Sequence, residues 1–137
     1  MDAPLVEFFF ALRQADPALR KVLRNCVEHG VNDAEMALLN AGKGERGLRI
    51  AGLHKSLSVG VTTVNNAMKS LQEKGLIERR VKSHRNRVIV LSKKGRYVFG
   101  RTLDALQPAL RYLWGDLPPE DLAAAGRVLK NLLERTL

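Results

Sequence analysis

The sequence predicts a mainly α-helical fold with one small β-hairpin, an α+β arrangement. Apolar residues recur at helical spacing through most of the chain, as in the stripe of Leu19, Val22, Leu23, Cys26 and Val27. The period changes between residues 77 and 91, where β-branched and basic residues stand on either side of a polar centre. The chain has 137 residues, 45% of them hydrophobic, which is enough for one compact domain with extensions.

The positive charge is concentrated in the middle of the chain. The formal net charge is +9 and the sequence pI is about 10.2. Residues 43–101 contain 15 Lys and Arg against 3 Asp and Glu, a net charge of +12, whereas the rest of the chain carries −3. A basic segment of this kind predicts an acidic partner, either nucleic acid or an anionic membrane surface. The mildly acidic ends are expected to have a different role.

Nothing in the sequence predicts export or a membrane span. The N-terminal segment has no basic stretch before its apolar residues, and Arg13 and Asp16 interrupt them, unlike in a signal peptide. No apolar run approaches the ~18 residues that a membrane span needs. Cys26 is the only cysteine, so no intramolecular disulfide framework is possible. We therefore expect a cytoplasmic protein without a membrane partner.

Two helices are predicted before residue 30. An apolar and aromatic segment over residues 4–13 forms the first. Asp16 and Pro17 are expected to end it and to start the next, because proline is tolerated in a first helical turn. The second helix covers residues 18–28, and Gly30 is expected to stop it.

A third helix is predicted from Asn32, and a glycine-rich loop follows it. Glu35 stands three residues after Asn32, the spacing of a capping box, and the helix is expected to end at Gly42. The loop GKGERG that starts there matches the G-x-G-x-x-G pattern of dinucleotide sites, which needs a preceding strand and an acidic residue roughly 20 positions later. A helix precedes this loop, and no Asp or Glu lies between Arg46 and Gln72. We therefore expect a turn and no cofactor.

The next elements have the order of a helix-turn-helix followed by a wing. Residues 48–57 carry apolar side chains at helical spacing and predict a short helix. A tight turn at residues 58–60 leads into a helix over residues 61–74, which Gly75 ends. The hairpin that follows has strands at residues 77–81 and 87–91, with a multi-residue loop over residues 83–86.

Two helices complete the chain. After Ser92 a long helix continues to about Gly115, and Pro108 is expected to bend it. Residues 118–121, Pro-Pro-Glu-Asp, open the last helix, because proline and acidic residues suit a first turn. The whole chain is thus a winged helix-turn-helix core with helices on either side.

The helix over residues 61–74 has a polar face that is unusual for a solvated surface. With Val64 as the inward reference, the apolar face holds Val61, Val64, Met68 and Leu71. The opposite face carries Thr62, Asn66, Lys69 and Glu73, with Asn65 to one side. Thr and Asn are mediocre helix formers, and a solvated face ordinarily favours Glu, Lys, Gln and Arg.

Short hydrogen-bonding side chains suit the base edges of the DNA major groove. Asn can pair with N6 and N7 of adenine, and Thr can contact a thymine methyl group or a phosphate. The N-terminal residues of a recognition helix make most of the base contacts. We therefore predict major-groove contacts by Thr62, Thr63, Asn65, Asn66 and Lys69. The alternative is an ordinary solvated face, which the local charge of +12 disfavours.

The hairpin has six basic residues within nine positions: Arg79, Arg80, Lys82, His84, Arg85 and Arg87. Its long cations can neutralise phosphates, and an Arg at the tip can enter a narrow minor groove. We predict DNA contacts by Lys82, His84, Arg85 and Arg87. The alternative is a charged edge that protects a small sheet from aggregation, but such protection does not need so many like charges.

The central segment resembles a known family. LRIAGLHKSLSVGVTTVNNAMKSLQEKGLIERR, followed by VIVLSKKG, is similar to the winged-helix core of the MarR family of bacterial transcription regulators. The shared patterns are L-x-x-K-G-L-(I/V)-x-R at residues 71–79 and L-(T/S)-x-x-G at residues 91–95. The flanking helices agree with the family in order and length only. The resemblance implies a homodimer joined by its N- and C-terminal helices, with Arg85 in the minor groove.

The sequence departs from the family pattern at two places. The family often has an Asp two residues before the wing Arg, where it orients that side chain; this chain has Ser83, which brings no charge. Members that sense organic hydroperoxides carry a reactive Cys just before Phe-Ala-Leu in the first helix, where this chain has Phe9. Cys26 lies further along on an apolar stripe and is interpreted as a small buried residue, with a redox role as the less favoured alternative.

No catalytic or metal-binding arrangement is evident. The three histidines, His29, His54 and His84, are scattered, and no Cys, His, Asp or Glu group has metal-ligand spacing. His29 is expected near a helix end, His54 towards solvent or DNA, and His84 at the wing tip. Patterns of a nucleophile elbow or a Walker loop are missing. We expect no enzymatic activity, although a metal site shared between two copies stays open.

The terminal segments carry more Leu and Phe than a small winged domain can bury. Residues 123–126, Ala-Ala-Ala-Gly, would let two helix backbones approach closely. We therefore predict that residues 1–30 and 96–137 join two copies of the chain, and that residues 31–95 form the DNA-binding domain. Packing within one chain is the alternative.

These features together predict a sequence-specific regulator of transcription, most simply a repressor. It would bind double-stranded DNA at a pseudo-palindromic operator whose half-sites are about one helical turn apart. The resemblance implies that a small-molecule effector binds between the dimer helices and the winged domain. Two alternatives remain: a sequence-tolerant architectural or replication protein, and a winged-helix module that binds an acidic protein.

Overall fold

The elements follow one another in the order of a winged helix-turn-helix, which confirms the predicted fold class. The computed structural model describes residues 2–27, 30–57, 59–83 and 86–136, apart from the side chains of Lys82 and Ser83. Within these ranges the elements are α1 (Ala3–Cys26), α2 (Asp33–Ala41), β1 (Leu48–Arg49), α3 (Leu53–Ser56), α4 (Val61–Glu73), β2 (Ile77–Ser83), β3 (Asn86–Leu91), α5 (Lys93–Trp114) and α6 (Pro119–Thr136).

A single helix, α1, stands where two helices were predicted. Pro17 lies inside it, so the predicted break at Asp16 and Pro17 is wrong. Pro17 cannot donate a hydrogen bond to the carbonyl of Arg13, but both residues are exposed, so water can solvate that carbonyl. An ion pair of 2.9 Å between Asp16 and Arg20 spans the same turn and supports the helix.

Helix α2 begins at the predicted capping box. The Glu35 N–H donates to Asn32 Oδ1 at 2.9 Å, and the Asn32 N–H donates to Glu35 Oε1 at 3.4 Å. The helix has its C-cap at Gly42, as predicted. Helix α1 stops earlier than predicted, at Cys26, and Gly30 lies outside it with a φ of +67°.

Residues 48–57 do not form the single helix that was predicted for them. Leu48 and Arg49 form β1, which pairs antiparallel with β3, and only Leu53–Ser56 is helical. The Ile50 N–H continues this pairing by donating to the Arg87 carbonyl at 3.1 Å. Pairing with β3 satisfies backbone groups that a helix here would leave unpaired on that strand. The sheet therefore has three strands in the order β1-β3-β2 instead of the predicted two.

Strands β2 and β3 extend further than predicted. Ser83 pairs with Asn86 where a multi-residue loop was expected, and the register shifts between Val81 and Ser83. The tip residues His84 and Arg85 lie outside the described residues. The predicted hairpin itself is confirmed.

The core lies between α2, α4, the sheet and the first turns of α5. Its most deeply buried apolar residues are Leu38, Leu39, Leu71, Ile89 and Val98. By contrast, α1 and α6 contain no buried residue among those described, and the buried residues of α5 lie between positions 95 and 102. Helices α5 and α6 begin and end close to the predicted positions, and the bend expected at Pro108 stays a prediction.

The start of α5 packs tightly against the loop that precedes β2. Ser92 Oγ accepts from the Gly95 N–H at 2.9 Å and donates to the Gly75 carbonyl at 2.6 Å. A Cβ atom on Gly95 would collide with the carbonyl oxygen of Leu76. Glycine is therefore required at this position for close approach.

Replacing Gly95 by alanine should destabilise the fold. We expect Gly95→Ala to lower the free energy of unfolding by about 2–4 kcal/mol, because backbone must move to accept the new methyl group. Gly100→Ala in the same helix is the control: nothing lies within 4 Å of its added Cβ, so it should be neutral or stabilise by up to about 1 kcal/mol. Urea denaturation followed by circular dichroism measures both, and equal effects would contradict the packing argument.

Candidate nucleic-acid interface

Helix α4 separates a buried apolar face from an exposed polar one. Its buried residues are Val64, Ala67, Met68 and Leu71. All five residues predicted to read the major groove are exposed: Thr62, Thr63, Asn65, Asn66 and Lys69. The prediction for Val61 is wrong, because this residue is 52% exposed and does not point into the core. Val61 is the first residue of the helix and borders a small cavity between α3 and α4.

The exposed face has the dimensions of a groove-reading surface. From Thr62 to Lys69 the helix rises about 10 Å, which corresponds to roughly three base pairs. Glu73 is exposed at the last helical position, two turns beyond Asn66. Gly75, with a φ of +73°, ends the helix as predicted, and the Leu76 N–H donates to the Leu71 carbonyl at 2.9 Å.

A buried carboxylate holds the C-terminal half of α4 against α2. Glu35 is only 2% exposed, and its Oε2 atom accepts from Lys74 Nζ at 2.8 Å and from Ser70 Oγ at 3.3 Å. Lys74 Nζ also donates to the Gly30 carbonyl at 2.8 Å. The sequence predicted Glu35 only as a helix cap. Its second role joins positions 39 residues apart, and no local signal could have shown it.

The same end of α4 is joined to the base of the wing and to α5. The Ser92 N–H donates to the Leu76 carbonyl at 3.0 Å, and Lys94 Nζ donates to the Lys74 carbonyl at 3.3 Å. These bonds connect α4, the hairpin and α5. The exposed polar face of α4 is therefore held in a defined position relative to the strands of the wing.

The wing presents exposed cations along its strands. Arg79, Arg80 and Arg87 are exposed, and Arg80 Nη2 lies 3.6 Å from Glu78 Oε2 in a pair that is solvated on both sides. An exposed ion pair of this kind binds weakly and leaves the cation available to another anion. Of the four wing residues predicted to contact DNA, Arg87 is described in full. The side chain of Lys82, and the residues His84 and Arg85, lie outside the description.

Strand β1 brings a further cation beside the wing. Arg49 is exposed and pairs with Val88 of β3, at the edge of the sheet. The prediction of a helix over residues 48–57 missed this position. The signal was the alternation of Leu48, Arg49 and Ile50 directly after a glycine, which is short but typical of a strand.

A larger cavity of about 800 Å³ lies between α1, the start of α2 and the start of α4. Arg20 and Arg24 of α1 line it, together with Asp33 of α2 and Thr63 of α4. Asp33 Oδ1 is buried there and has no hydrogen-bond partner among the described residues. The cavity depends on how three helices pack, so no local sequence pattern predicts its lining, and only the family resemblance implied a ligand site in this region.

No other type of site is evident in the described part of the chain. No group of three His, Cys, Asp or Glu residues there is placed to hold a metal ion. None of the described helices is both long enough and apolar enough to cross a membrane. His54 is half-buried and lines the small cavity beside α4, whereas His29 lies outside the described residues. Cys26 is partly buried at the end of α1.

Comparison with solved structures identifies the fold, although neither a family model nor a curated protein matches the sequence. A MarR-family regulator from Rhodococcus sp. RHA1 has a TM-score of 0.79 at 17% identity, covering 99% of this chain and 100% of that one. A MarR-family regulator from Silicibacter pomeroyi has a TM-score of 0.76 at 22% identity, with coverages of 93% and 88%. CouR from Rhodococcus jostii RHA1, bound to p-coumaroyl-CoA, has a TM-score of 0.77 at 16% identity, with coverages of 100% and 99%. The chain therefore has a MarR-like winged-helix fold over nearly its whole length.

Removing the cation that pairs with Glu35 should loosen α4. We expect Lys74→Met to lower the free energy of unfolding by about 1–3 kcal/mol, because it leaves a buried carboxylate without its charged partner. Arg80→Met is the control, since the Arg80–Glu78 pair is exposed and should change stability by less than about 0.5 kcal/mol. Urea denaturation at pH 7 measures both.

A double variant separates the charge from the packing of the lysine side chain. Glu35→Gln combined with Lys74→Met leaves no unpaired charge, so it should recover part of the stability lost in Lys74→Met. A double variant that is less stable than either single one would contradict the role assigned to the pair.

Proposed function

We propose that this chain is a sequence-specific, double-stranded DNA-binding regulator of transcription that acts as a homodimeric repressor. The observation that carries the proposal is the exposed row of Thr, Asn and Lys on α4, within a segment whose net charge is +12. The fold shared with proteins described as transcriptional regulators supports it. In this proposal residues 31–95 bind DNA, and residues 1–30 and 96–137 join two copies, while the first turns of α5 also complete the core of the winged domain.

Helix α4 enters the major groove in this proposal. Asn65 and Asn66 hydrogen-bond with base edges, and Thr62 and Thr63 contact thymine methyl groups or phosphates. Lys69 lies one turn further along and binds a phosphate. The bonds from Glu35 and Ser92 hold the other end of the helix, so that these side chains meet the DNA in a fixed orientation.

The wing reaches the adjacent minor groove. The paired strands β2 and β3 support the tip from both sides, since Ser83 is opposite Asn86. Arg85 stands between them in the sequence and enters the minor groove, where the negative potential is strongest when the groove is narrow. Lys82, His84 and Arg87 neutralise phosphates on either side.

A second copy of the chain is the proposed partner of the terminal helices. Large apolar residues remain exposed on α1 (Leu5, Phe8, Phe9 and Phe10) and on α6 (Leu122, Val128, Leu129, Leu132 and Leu133). Monomeric proteins rarely expose large contiguous apolar patches, so two helices with this many exposed apolar side chains suggest a covering partner. A two-fold dimer would bury both sets and present two α4 helices, which suits a pseudo-palindromic operator with half-sites about one turn apart.

The large cavity beside α1 is the proposed site of a small-molecule effector. Its volume of about 800 Å³ suits a small organic ligand, and charged and apolar side chains both line it. Thr63 of α4 is part of the lining, so a ligand there would touch the helix that reads DNA. CouR, whose structure contains p-coumaroyl-CoA, shows that a protein with this fold can hold a small molecule.

Selection of bound duplexes from random DNA, with sizing of the complex, tests the proposal. We expect an enriched pseudo-palindrome and two protein chains per duplex. A specificity ratio near 1 against random DNA would favour an architectural or replication protein instead. Failure to bind any duplex at about 50 mM salt, where electrostatic binding is strong, would favour a module for an acidic protein partner.

Truncating the wing arginine should weaken binding to the selected site. We expect Arg85→Ala to cost about 1–3 kcal/mol, because the minor-groove contact is lost. Titration of a labelled duplex at constant salt measures the affinity. Arg135→Ala removes one exposed charge from the last turn of α6 and should leave the affinity unchanged. An equal effect of the two variants would overturn the assignment of the wing.

Truncating Asn66 should change the preferred bases. We expect Asn66→Ala to relax the preference at one position in each half-site by about 1–3 kcal/mol, because one base loses its hydrogen bonds. Repeating the selection with the variant measures the change. Glu73→Ala is the control on the same face of α4. This variant should select the same DNA sequence as the native chain. If Asn66→Ala weakens all sequences equally, Asn66 contacts the DNA backbone.

A further inference from the structure

A small cavity opens beside the N-terminal half of α4. It has a volume of about 150 Å³ and lies between α3 and α4. Most of its lining is apolar: Ile50, Leu53, Val61, Val64 and Met68. Asn65 also lines it, and His54 of α3 stands on the other side. We call this cavity the α3–α4 notch.

The notch lies along one side of the face that is proposed to read bases. Val61, Asn65 and Met68 are spaced so that they follow one another up the same side of α4. Met68 and Val64 are buried at the floor, whereas Val61 and Asn65 are exposed at the surface. The opening of the notch is therefore next to the exposed Asn65 side chain and within one turn of Thr62 and Lys69.

Exposed Val61 is out of place for a solvated helix terminus. A first helical position favours proline, acidic residues or small polar residues, which interact with free N–H groups or with water. The Val61 side chain can hydrogen-bond neither with free N–H groups nor with water, and half of its surface is exposed to solvent when no DNA is bound. Covering the exposed half of Val61 with an apolar group would gain free energy in proportion to the apolar area removed from water.

We propose that the α3–α4 notch receives the 5-methyl group of a thymine, while the Asn65 side-chain amide donates to O4 of the same base. The inference rests on the proposed function, because it needs α4 in the major groove. Thymine presents a methyl group and an acceptor side by side on its major-groove edge. The notch and Asn65 present an apolar recess and a donor in the same arrangement. A water molecule in the notch would be poorly stabilised, because an apolar recess offers it few hydrogen-bond partners.

Single-base replacements within the selected duplex test each half of this contact. Deoxyuridine keeps O4 and removes only the methyl group, so it should weaken binding about fourfold per half-site, the factor for one buried methyl group. Cytosine, with guanine opposite it in place of adenine, removes the methyl group and replaces the acceptor by a donor, so this duplex should bind more weakly than the deoxyuridine duplex. 5-Methylcytosine restores the methyl group and should bind about fourfold more tightly than cytosine.

Variants of the notch assign the effect to Val61. In Val61→Ala and in Val61→Ser, which both remove apolar surface from the opening of the notch, the preference for thymine over deoxyuridine at this base should fall below twofold. Val81→Ala is the matched control, because Val81 is an exposed valine on β2 that does not line the notch; its preference should remain about fourfold. Circular dichroism checks that each variant is folded.

Two results would overturn the inference without contradicting the proposed function. One is tight, sequence-specific binding whose affinity stays the same when any thymine of the selected site is replaced by deoxyuridine. The other is a preference for thymine over deoxyuridine that persists undiminished at every base of the site in both Val61 variants. Failure of the native chain to bind any duplex is a different result, and it would overturn the proposed function together with this inference.

Discussion

One buried carboxylate, that of Glu35, holds the C-terminal end of α4, the helix that is proposed to read DNA. A charge removed from water is tolerated only when hydrogen bonds and an opposite charge replace the lost hydration. Glu35 obtains both from the C-terminal end of α4, through Lys74 and Ser70. Rotation of α4 about its axis would separate these groups and leave Glu35 unpaired. Apolar burial of Val64, Met68 and Leu71 determines which face of α4 points outward, and the carboxylate holds the C-terminal end of the helix against α2 in that orientation.

The distribution of apolar residues divides the chain into two parts with different requirements. The winged domain buries its own core, from Leu38 and Leu39 of α2 to Val98 of α5. The helices α1 and α6 bury no residue in the described part of a single chain, although both carry large apolar side chains. The winged domain is thus complete in one chain, and the terminal helices are the part that a second copy would complete.

Local signals predicted most of the winged domain from the sequence. The Asn32–Glu35 capping box and the glycine after α4 act within a few residues, so their effects are readable without the fold. Longer-range effects were missed. Strand β1 forms because β3 needs a partner, and α1 continues through Pro17 because that turn is exposed. The two cavities and the exposure of Val61 depend on how α1, α3 and α4 pack against one another. The spacing of apolar residues within one helix does not predict that packing.

The two ends of α4 are held very differently, and this difference suits the proposed function. The C-terminal end is bonded to α2 through Glu35. Lys94 Nζ donates to the carbonyl of Lys74, the C-cap of α4, and Ser92 Oγ donates to the carbonyl of Gly75, the next residue. The N-terminal end begins at Gly60 without a side-chain cap, and a cavity lies on each side of it, one reaching Thr63 and the other Val61. In the proposed function the bonded end fixes the orientation of the polar face, and a ligand beside Thr63 would act on the end of α4 that has no side-chain cap.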